Sequence, residues 1–373
     1  MVFSNVVSMI FMPLVLTGCQ LANLGNAAGA PAAQADRCAQ PIRAFRVDYG
    51  NYAASRSQVG SLETQMKNAG VNLVALGAGR AEWAFFKWSG HEANWSSDVR
   101  DTGVDFLAED TARFGKWAHV DAVVDVLAPS YIRAHPEAAA VSFTGQPSTD
   151  FISTRELVYG AYGQQLLAMI EYIAANYPVD SISITELFYY SDGYGADDKA
   201  LYMAYSGNAD WPRLANGVIN RDDVTIGNWR THMLDLWLDK AVASAHKYGK
   251  KFFVDAKLSL GNLNQCSNEC GTEYHVVLQH TDRIVVWAYY GLDNISMPYM
   301  TTIAQFLKSF GSDRVILSFG LWDATRPQTS PESLRLALAA AQAGGISDFW
   351  ITPSILMTPQ HYQVLHDVWA TSP

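Results

Sequence analysis

The chain has 373 residues, 49% of them hydrophobic, and a formal charge of −10. That length and apolar content can fill one large core of barrel size, while the acidic balance and the lack of any Lys/Arg cluster exclude a nucleic-acid surface or an electrostatic seat on anionic lipid. Eleven Trp and 18 Tyr offer flat apolar faces that either stack on sugar rings or fill cores.

In chain order, Val6 to Leu16 is apolar but too short to span a bilayer, and Leu16-Thr17-Gly18-Cys19 follows it. This stretch resembles the lipobox of a bacterial lipoprotein, although no Lys or Arg precedes the apolar run. The resemblance implies a signal peptide over 1–18 and a lipid on Cys19. It also implies an exported protein held at the outer membrane or cell surface, facing the periplasm or the outside; Gln20 after the Cys favours the outer membrane. An ordinary secretory signal leads to the same compartment. Residues 19–40, rich in Ala, Gly, Asn and Pro without periodicity, read as a flexible linker to a domain over 41–373. Cys266 and Cys270 are close enough in sequence for a small local disulfide in an exported protein, and Cys38 is left over. No metal site is expected, because His275 and His280 fall within and at the end of a predicted helix.

Beyond the linker, strand and helix signals alternate. Strands are predicted from Ala44 towards Asp48, over Val71–Gly77, Lys116–Leu127 and Val179–Glu186, then over Lys251–Lys257, Arg283–Tyr290, Arg314–Gly320 and Ile346–Thr352. Helices are predicted over Gln58–Ala69, Val104–Phe114, Ser153–Asn176, Asp197–Tyr205, Trp229–Lys247, Thr272–His280, Pro298–Phe310, Pro331–Ala343 and Pro359–Trp369. Long loops at Arg80–Arg100 and Glu186–Asp223 are of a size that usually shapes a site. Eight strand–helix units predict an α/β fold, a single (β/α)8 TIM barrel. Such barrels keep their chemistry where the strands end. The ends offer Asp48, Asp125, Glu186, Asp255, Lys257, Trp287, Asp323 and Trp350, with Tyr189, Asp192 and Trp322 just beyond.

Several carboxylates and aromatics on one face suit the cleavage of a glycosidic bond. One carboxyl protonates the leaving oxygen, and a second acts as base, nucleophile or electrostatic stabiliser. Glu186, Asp255 and Asp48 are the expected catalytic residues. Substrate contacts are expected from Asp125, Tyr189, Asp192, Lys257, Trp287, Trp322, Asp323 and Trp350. Asp48 and Asp255 are also open to a purely structural reading as partners of Arg46 and Lys257, and Trp287 and Trp350 to one as filling. No Gly-x-Ser-x-Gly elbow, His-Glu-x-x-His set, Gly-x-Gly-x-x-Gly or Walker loop is present, which removes serine-hydrolase, zinc-hydrolase and nucleotide readings and leaves no cofactor expected.

The helix Ser153–Asn176, the strand Val179-Asp-Ser-Ile-Ser-Ile-Thr-Glu186 and the downstream Gly195-Ala-Asp197-Asp198-Lys-Ala-Leu together resemble one unit of a known family. That family is the hydrolase domain of bacterial lipoproteins that process biofilm poly-N-acetylglucosamine. There a Gly-Ile-x-Phe-His-Asp-Asp strand carries the catalytic acid. Glu186 stands where the first Asp of that pair would be, and Leu187 replaces the second. The resemblance implies a barrel glycoside hydrolase, anchored to the membrane by lipid alone, with a poly- or oligosaccharide as partner. The reading from another class is a non-catalytic barrel that binds glycan at the surface.

Overall fold

The computed structural model describes residues 40–48, 58–189, 191–263, 271 and 273–370. The expected signal, the linker up to its last residue, and Cys19, Cys38, Cys266 and Cys270 lie outside the described residues.

Strands that are apolar on both faces need helices on one side and each other on the other. In chain order they are β1 (Arg43–Val47), β2 (Leu73–Arg80), β3 (Trp83–Ala84), β4 (His119–Asp125), β5 (Ala139–Val141), β6 (Pro147–Ile152), β7 (Ser181–Thr185), β8 (Lys251–Ala256), β9 (Arg283–Trp287), β10 (Val315–Gly320) and β11 (Phe349–Thr352). Eight of these pair in parallel in the order β1-β2-β4-β7-β8-β9-β10-β11, and β11 returns to β1, closing a barrel. A helix follows each barrel strand: Val59–Ala69, Phe106–Phe114, Ala161–Asn176, Val224–His246, Tyr274–His280, Met297–Lys308, Pro331–Gly344 and Pro359–Ala370. This is the expected (β/α)8 barrel. Among the described residues no helix is long and apolar enough to cross a membrane.

Strand alternation divides the core in two. Ala44, Leu73, Ala75, Val123, Phe253 and Trp350 meet inside the barrel, whereas Phe45, Val47, Ile182 and Ile184 face the helices. Trp350, expected at the mouth, belongs to the inner group and is 2% exposed. It fills the barrel instead of offering a face to a sugar, because its place on β11 is within the strand and not past its end.

Three local features differ from the sequence reading. The predicted helix over Ser153–Asn176 is two helices, Thr154–Tyr159 and Ala161–Asn176. They meet so tightly that a Cβ on Gly163 would lie 1.7 Å from the Leu157 carbonyl oxygen, so only glycine lets the chain turn there. The polar loop before them contains the antiparallel hairpin β5–β6. The long loop after β2 is partly regular, since β3 pairs back onto β2 and Ser97–Thr102 is helical under a Ser96 cap.

The barrel floor is tied by Asp348, immediately before β11. Its Oδ1 accepts from the Ile42 amide at 2.9 Å and its Oδ2 pairs with the Arg283 guanidinium at the start of β9, with the Asp348 side chain 8% exposed. Removing one member of such a buried pair leaves the other charge without compensation, at a cost of about 3 kcal/mol or more. Asp348→Ala should therefore lose about 3 kcal/mol in urea unfolding, and a loss below about 1 kcal/mol would show that the floor does not need this clamp.

Candidate active site

The inward face of β7 carries hydroxyls at every step, Ser181, Ser183 and Thr185, all buried. Register places its neighbours level with it. Asp125 of β4 lies opposite Thr185, Arg80 of β2 lies opposite Asp125, and Ile184 opposite Val254 sets Asp255 of β8 beside Thr185. Asp125, Thr185 and Asp255 thus form a row across three adjacent strands at the barrel mouth.

The next residue breaks the alternation. Glu186 has φ +63°, in the left-handed region, one of two such described residues that are not glycine, the other being Asn294. For a side chain with a Cβ this costs about 1–2 kcal/mol and persists only where surroundings enforce it. Regular continuation of β7 would have sent Leu187 into the mouth after Thr185. Leu187 is instead 2% exposed in the helix-facing core, and Glu186 joins the carboxylates.

Each carboxyl has a distinct setting. Burial pushes the Glu186 pKa up to about 7; the charges of Asp125 and Asp255 add to the rise, against Arg46 and Arg80. Burial also raises Asp255, opposed by the Arg46 charge, by the Thr185 hydroxyl nearby and by a hydrogen bond from the Trp287 indole, whose Nε1 lies 3.2 Å from Asp255 Oδ2. Both oxygens of Asp125 are engaged: Oδ2 pairs with Arg80 Nε at 3.0 Å and Oδ1 accepts from the Leu127 amide at 2.8 Å. Below the row, fully buried Asp121 accepts from the Ser181 hydroxyl, and burial takes its pKa to about 7. The structure flanks Glu186 with two aspartates, Asp125 and Asp255, and Asp125 exerts the larger push.

An aromatic run leads away from Asp255. Trp287 stacks on Tyr289 with ring centroids 5.4 Å apart and planes 13° apart, Tyr289 meets Trp322 at 5.1 Å, and Phe188 sets its edge to Trp287 at 5.5 Å. Lys257, Trp287, Tyr289 and Asp293 line an open cavity of about 400 Å³, of the size that holds a small ligand. A smaller cavity of about 40 Å³ lies behind Glu186, with Asp192 and Thr154 in its wall.

Of the residues expected here, Glu186, Asp125, Asp255, Lys257, Trp287 and Trp322 reach the mouth, and Tyr189 and Asp192 are in the wall of the small cavity. Asp323, Tyr189 and Asp48 also make turn or packing contacts of their own. Asp323 closes its own turn, accepting from the Thr325 amide and hydroxyl and the Arg326 amide at 2.8–3.0 Å, because it lies past the strand in a loop that needs those amides satisfied. Tyr189 is buried behind the loop, over the Arg230 guanidinium at 4.7 Å and so close to Gly193 that a Cβ there would be 2.7 Å away. Asp48 is turned to Ser354, accepting from its amide at 2.9 Å, and to Arg46 at 3.6 Å. Tyr289 is not among the expected site residues, and Arg46 is expected only as a structural partner of an aspartate. The signal for both was period two, since they stand two residues from Trp287 and Asp48. Among the described residues no group of three or more His, Cys, Asp or Glu side chains could hold a metal ion.

The sequence matches no protein-family model and no curated protein. The structure resembles solved glycoside hydrolases. The PgaB (BpsB) glycoside hydrolase domain of Bordetella bronchiseptica aligns over 90% of this chain and 100% of its own, with TM-score 0.70 and 16% identity. The catalytic domain of a Paenibacillus polymyxa beta-amylase aligns over 89% and 99%, with TM-score 0.62 and 12% identity. A beta-galactosidase from Marinomonas ef1 aligns over 88% of this chain and 59% of its own, with TM-score 0.64 and 12% identity. What is shared at this identity is the barrel fold.

The raised Glu186 value makes a prediction that needs no substrate. Because about 7 in the folded chain exceeds the ordinary 4.5, the folded state binds that proton more tightly than the unfolded one. Ionising Glu186 then lowers stability as pH rises from about 4.5 through 7. Glu186→Gln should melt with wild type at pH 4 and above it at pH 8; equal melting at both would mean that Glu186 is not perturbed.

Proposed function

We propose that this chain is an exported glycoside hydrolase that cleaves a poly- or oligosaccharide by carboxyl chemistry, with Glu186 as general acid. The observation that carries the reading is the left-handed Glu186 set between two aspartates and made hard to ionise. A carboxyl that keeps its proton near neutral pH can give it to a glycosidic oxygen as the bond to the sugar carbon breaks. The positive charge then developing on the ring needs an anion on its other side. Asp255 suits that role as base, nucleophile or stabiliser, because it stands beside Thr185 in the row at the barrel mouth and is held by a neutral donor, the Trp287 indole, which leaves it able to turn to a reacting atom. Asp125, held at both oxygens, supplies fixed charge. Trp287, Tyr289 and Trp322 give sugar rings a flat wall, and Lys257 and Asp293 offer polar contacts in the larger cavity. The fold shared with glycoside hydrolases supports this reading in general.

Export and anchoring belong to the same proposal: Cys19 carries lipid and holds the barrel on a membrane through the 19–40 linker. Cys19→Ser should move the protein from the membrane fraction to the soluble one with its melting unchanged, and wild type already soluble in an exported fraction would remove the anchor.

The catalytic test is release of reducing ends from a panel of neutral, N-acetylated and partly de-N-acetylated glycans. Wild type should cleave one class, with an alkaline limb near pH 7 where Glu186 loses its proton. Glu186→Gln should cut the rate by about a thousandfold and Asp255→Asn by about a hundredfold or more, at unchanged fold. Binding of a glycan by wild type without cleavage over long incubation would sink the enzyme reading in favour of a glycan-binding barrel.

A further inference from the structure

Barrel interiors of this fold are usually filled with branched apolar side chains. This one holds an arginine. Arg46 is on β1 between Ala44, which faces the interior, and Asp48 at the mouth, so strand alternation directs all three the same way. Its register partner on β2 is Ala75, a small inner residue that leaves room for a long side chain to reach across, and the Arg46 side chain is 19% exposed. Nε lies 3.6 Å from Asp48 Oδ1, and Asp48 is itself fixed by the Ser354 amide and hydroxyl. The guanidinium is therefore held from above by a carboxylate that is anchored to the far side of the β11 loop.

A cation enclosed in a barrel must be matched by anions, and enclosed anions by a cation. The charged and titratable groups that share Arg46 come from different elements: Asp48 on its own strand, Asp121 on β4, Glu186 after β7, Asp255 on β8 and Tyr289 after β9. The nearest neighbours on β2 and β11, Ala75 and Thr352, carry no charge, and Arg80 on β2 is engaged with Asp125. Arginine suits such a post because it stays charged over the whole working pH range and its flat fork can serve several oxygens at once.

We propose that Arg46 is a positioning residue of this site: its guanidinium, fixed at the barrel mouth by Asp48, faces the same interior as Asp255 and Glu186 and is the counter-charge that balances them. This rests on the reading of Glu186 and Asp255 as the reacting carboxyls. Asp48 on this account is the anchor of Arg46 and not a reacting group. Removing a cation makes each nearby carboxyl harder to ionise, so both limbs of an activity profile move the same way, to higher pH. A residue needed only for the fold would lower activity at every pH without moving either limb.

The experiment follows the carboxyls directly, by infrared or carbon NMR titration of full-length protein, with Glu186→Gln identifying the Glu186 signal, alongside the pH profile of hydrolysis. In Arg46→Gln and Arg46→Met the Glu186 titration should rise by about one pH unit, and the pH optimum with it, while Arg46→Lys should stay within about half a unit of wild type. An unmoved titration in the neutral variants would overturn the proposal. So would failure of all the Arg46 variants to fold, or of the neutral pair alone with Arg46→Lys folded, because Arg46 would then be a stability residue. If the titration moves as stated while no glycan is cleaved by wild type, the hydrolase reading falls and the part played by Arg46 stands.

Discussion

Everything at the mouth of this barrel depends on the burial of more carboxyls than the interior can hold as ions. Water is largely excluded from Asp121 and Asp255, each no more than 5% exposed, and partly from Glu186, so every negative charge there must meet a positive one, accept hydrogen bonds, or take a proton. Two guanidiniums are at hand, Arg46 and Arg80. Arg80 pairs with Asp125 and also acts on Glu186. Arg46 is the cation common to Asp48, Asp121, Asp255 and Glu186, and so many carboxyls around two cations cannot all be ionised near neutrality. The groups with the weakest compensation hold their protons: Asp121, served by hydroxyls below the row, and Glu186, which faces two aspartates.

The same constraint explains the backbone. An acid at position 186 on a regular strand would point into the apolar layer between strands and helices, where Ile182 and Ile184 lie. Burying an ionisable group there without partners costs more than the one or two kcal/mol of a left-handed residue, so the turn at Glu186 is the cheaper solution. It also delivers Leu187 to the apolar layer. Tyr189, wedged between Arg230 and Gly193, then holds the returning loop, with the Asp192 carbonyl accepting from Arg230 at 2.7 Å.

The barrel was legible because its strands are parallel and double-sided, which makes them continuous apolar runs that stand out between amphipathic helices. The hairpin β5–β6 was not, since Pro147-Ser-Thr-Asp-Phe-Ile152 is mostly polar and half exposed and carries no strand period. Glu186, Asp125 and Asp255 were legible as acids at strand ends. Beyond the last paired residue, however, period two stops governing direction, and there the reading failed: Asp323 satisfies its own turn and Tyr189 packs behind the loop. Trp350 failed for the opposite reason, being still within its strand. Arg46 was visible in the sequence but unremarkable as one basic residue near an acid. What marks it is that three other strands or their ends bring acids to the same interior, which only the closed sheet shows.

Asp125 and Asp255 occupy equivalent places on either side of Thr185, yet the structure does not make them interchangeable. Asp125 is clamped at both oxygens by Arg80 and a backbone amide, so moving it towards a substrate would break a charged pair and a hydrogen bond together. Asp255 is held by the Trp287 indole, a neutral donor whose loss costs about 1 kcal/mol. A carboxylate that must approach a sugar carbon or a water has to leave part of its resting contacts, and the weaker set is the one that can be left. The indole also keeps Asp255 continuous with the aromatic wall, since it is the first ring of the run Trp287–Tyr289–Trp322. On the proposed reading, a sugar ring stacked along that wall would lie next to Asp255 and not to Asp125.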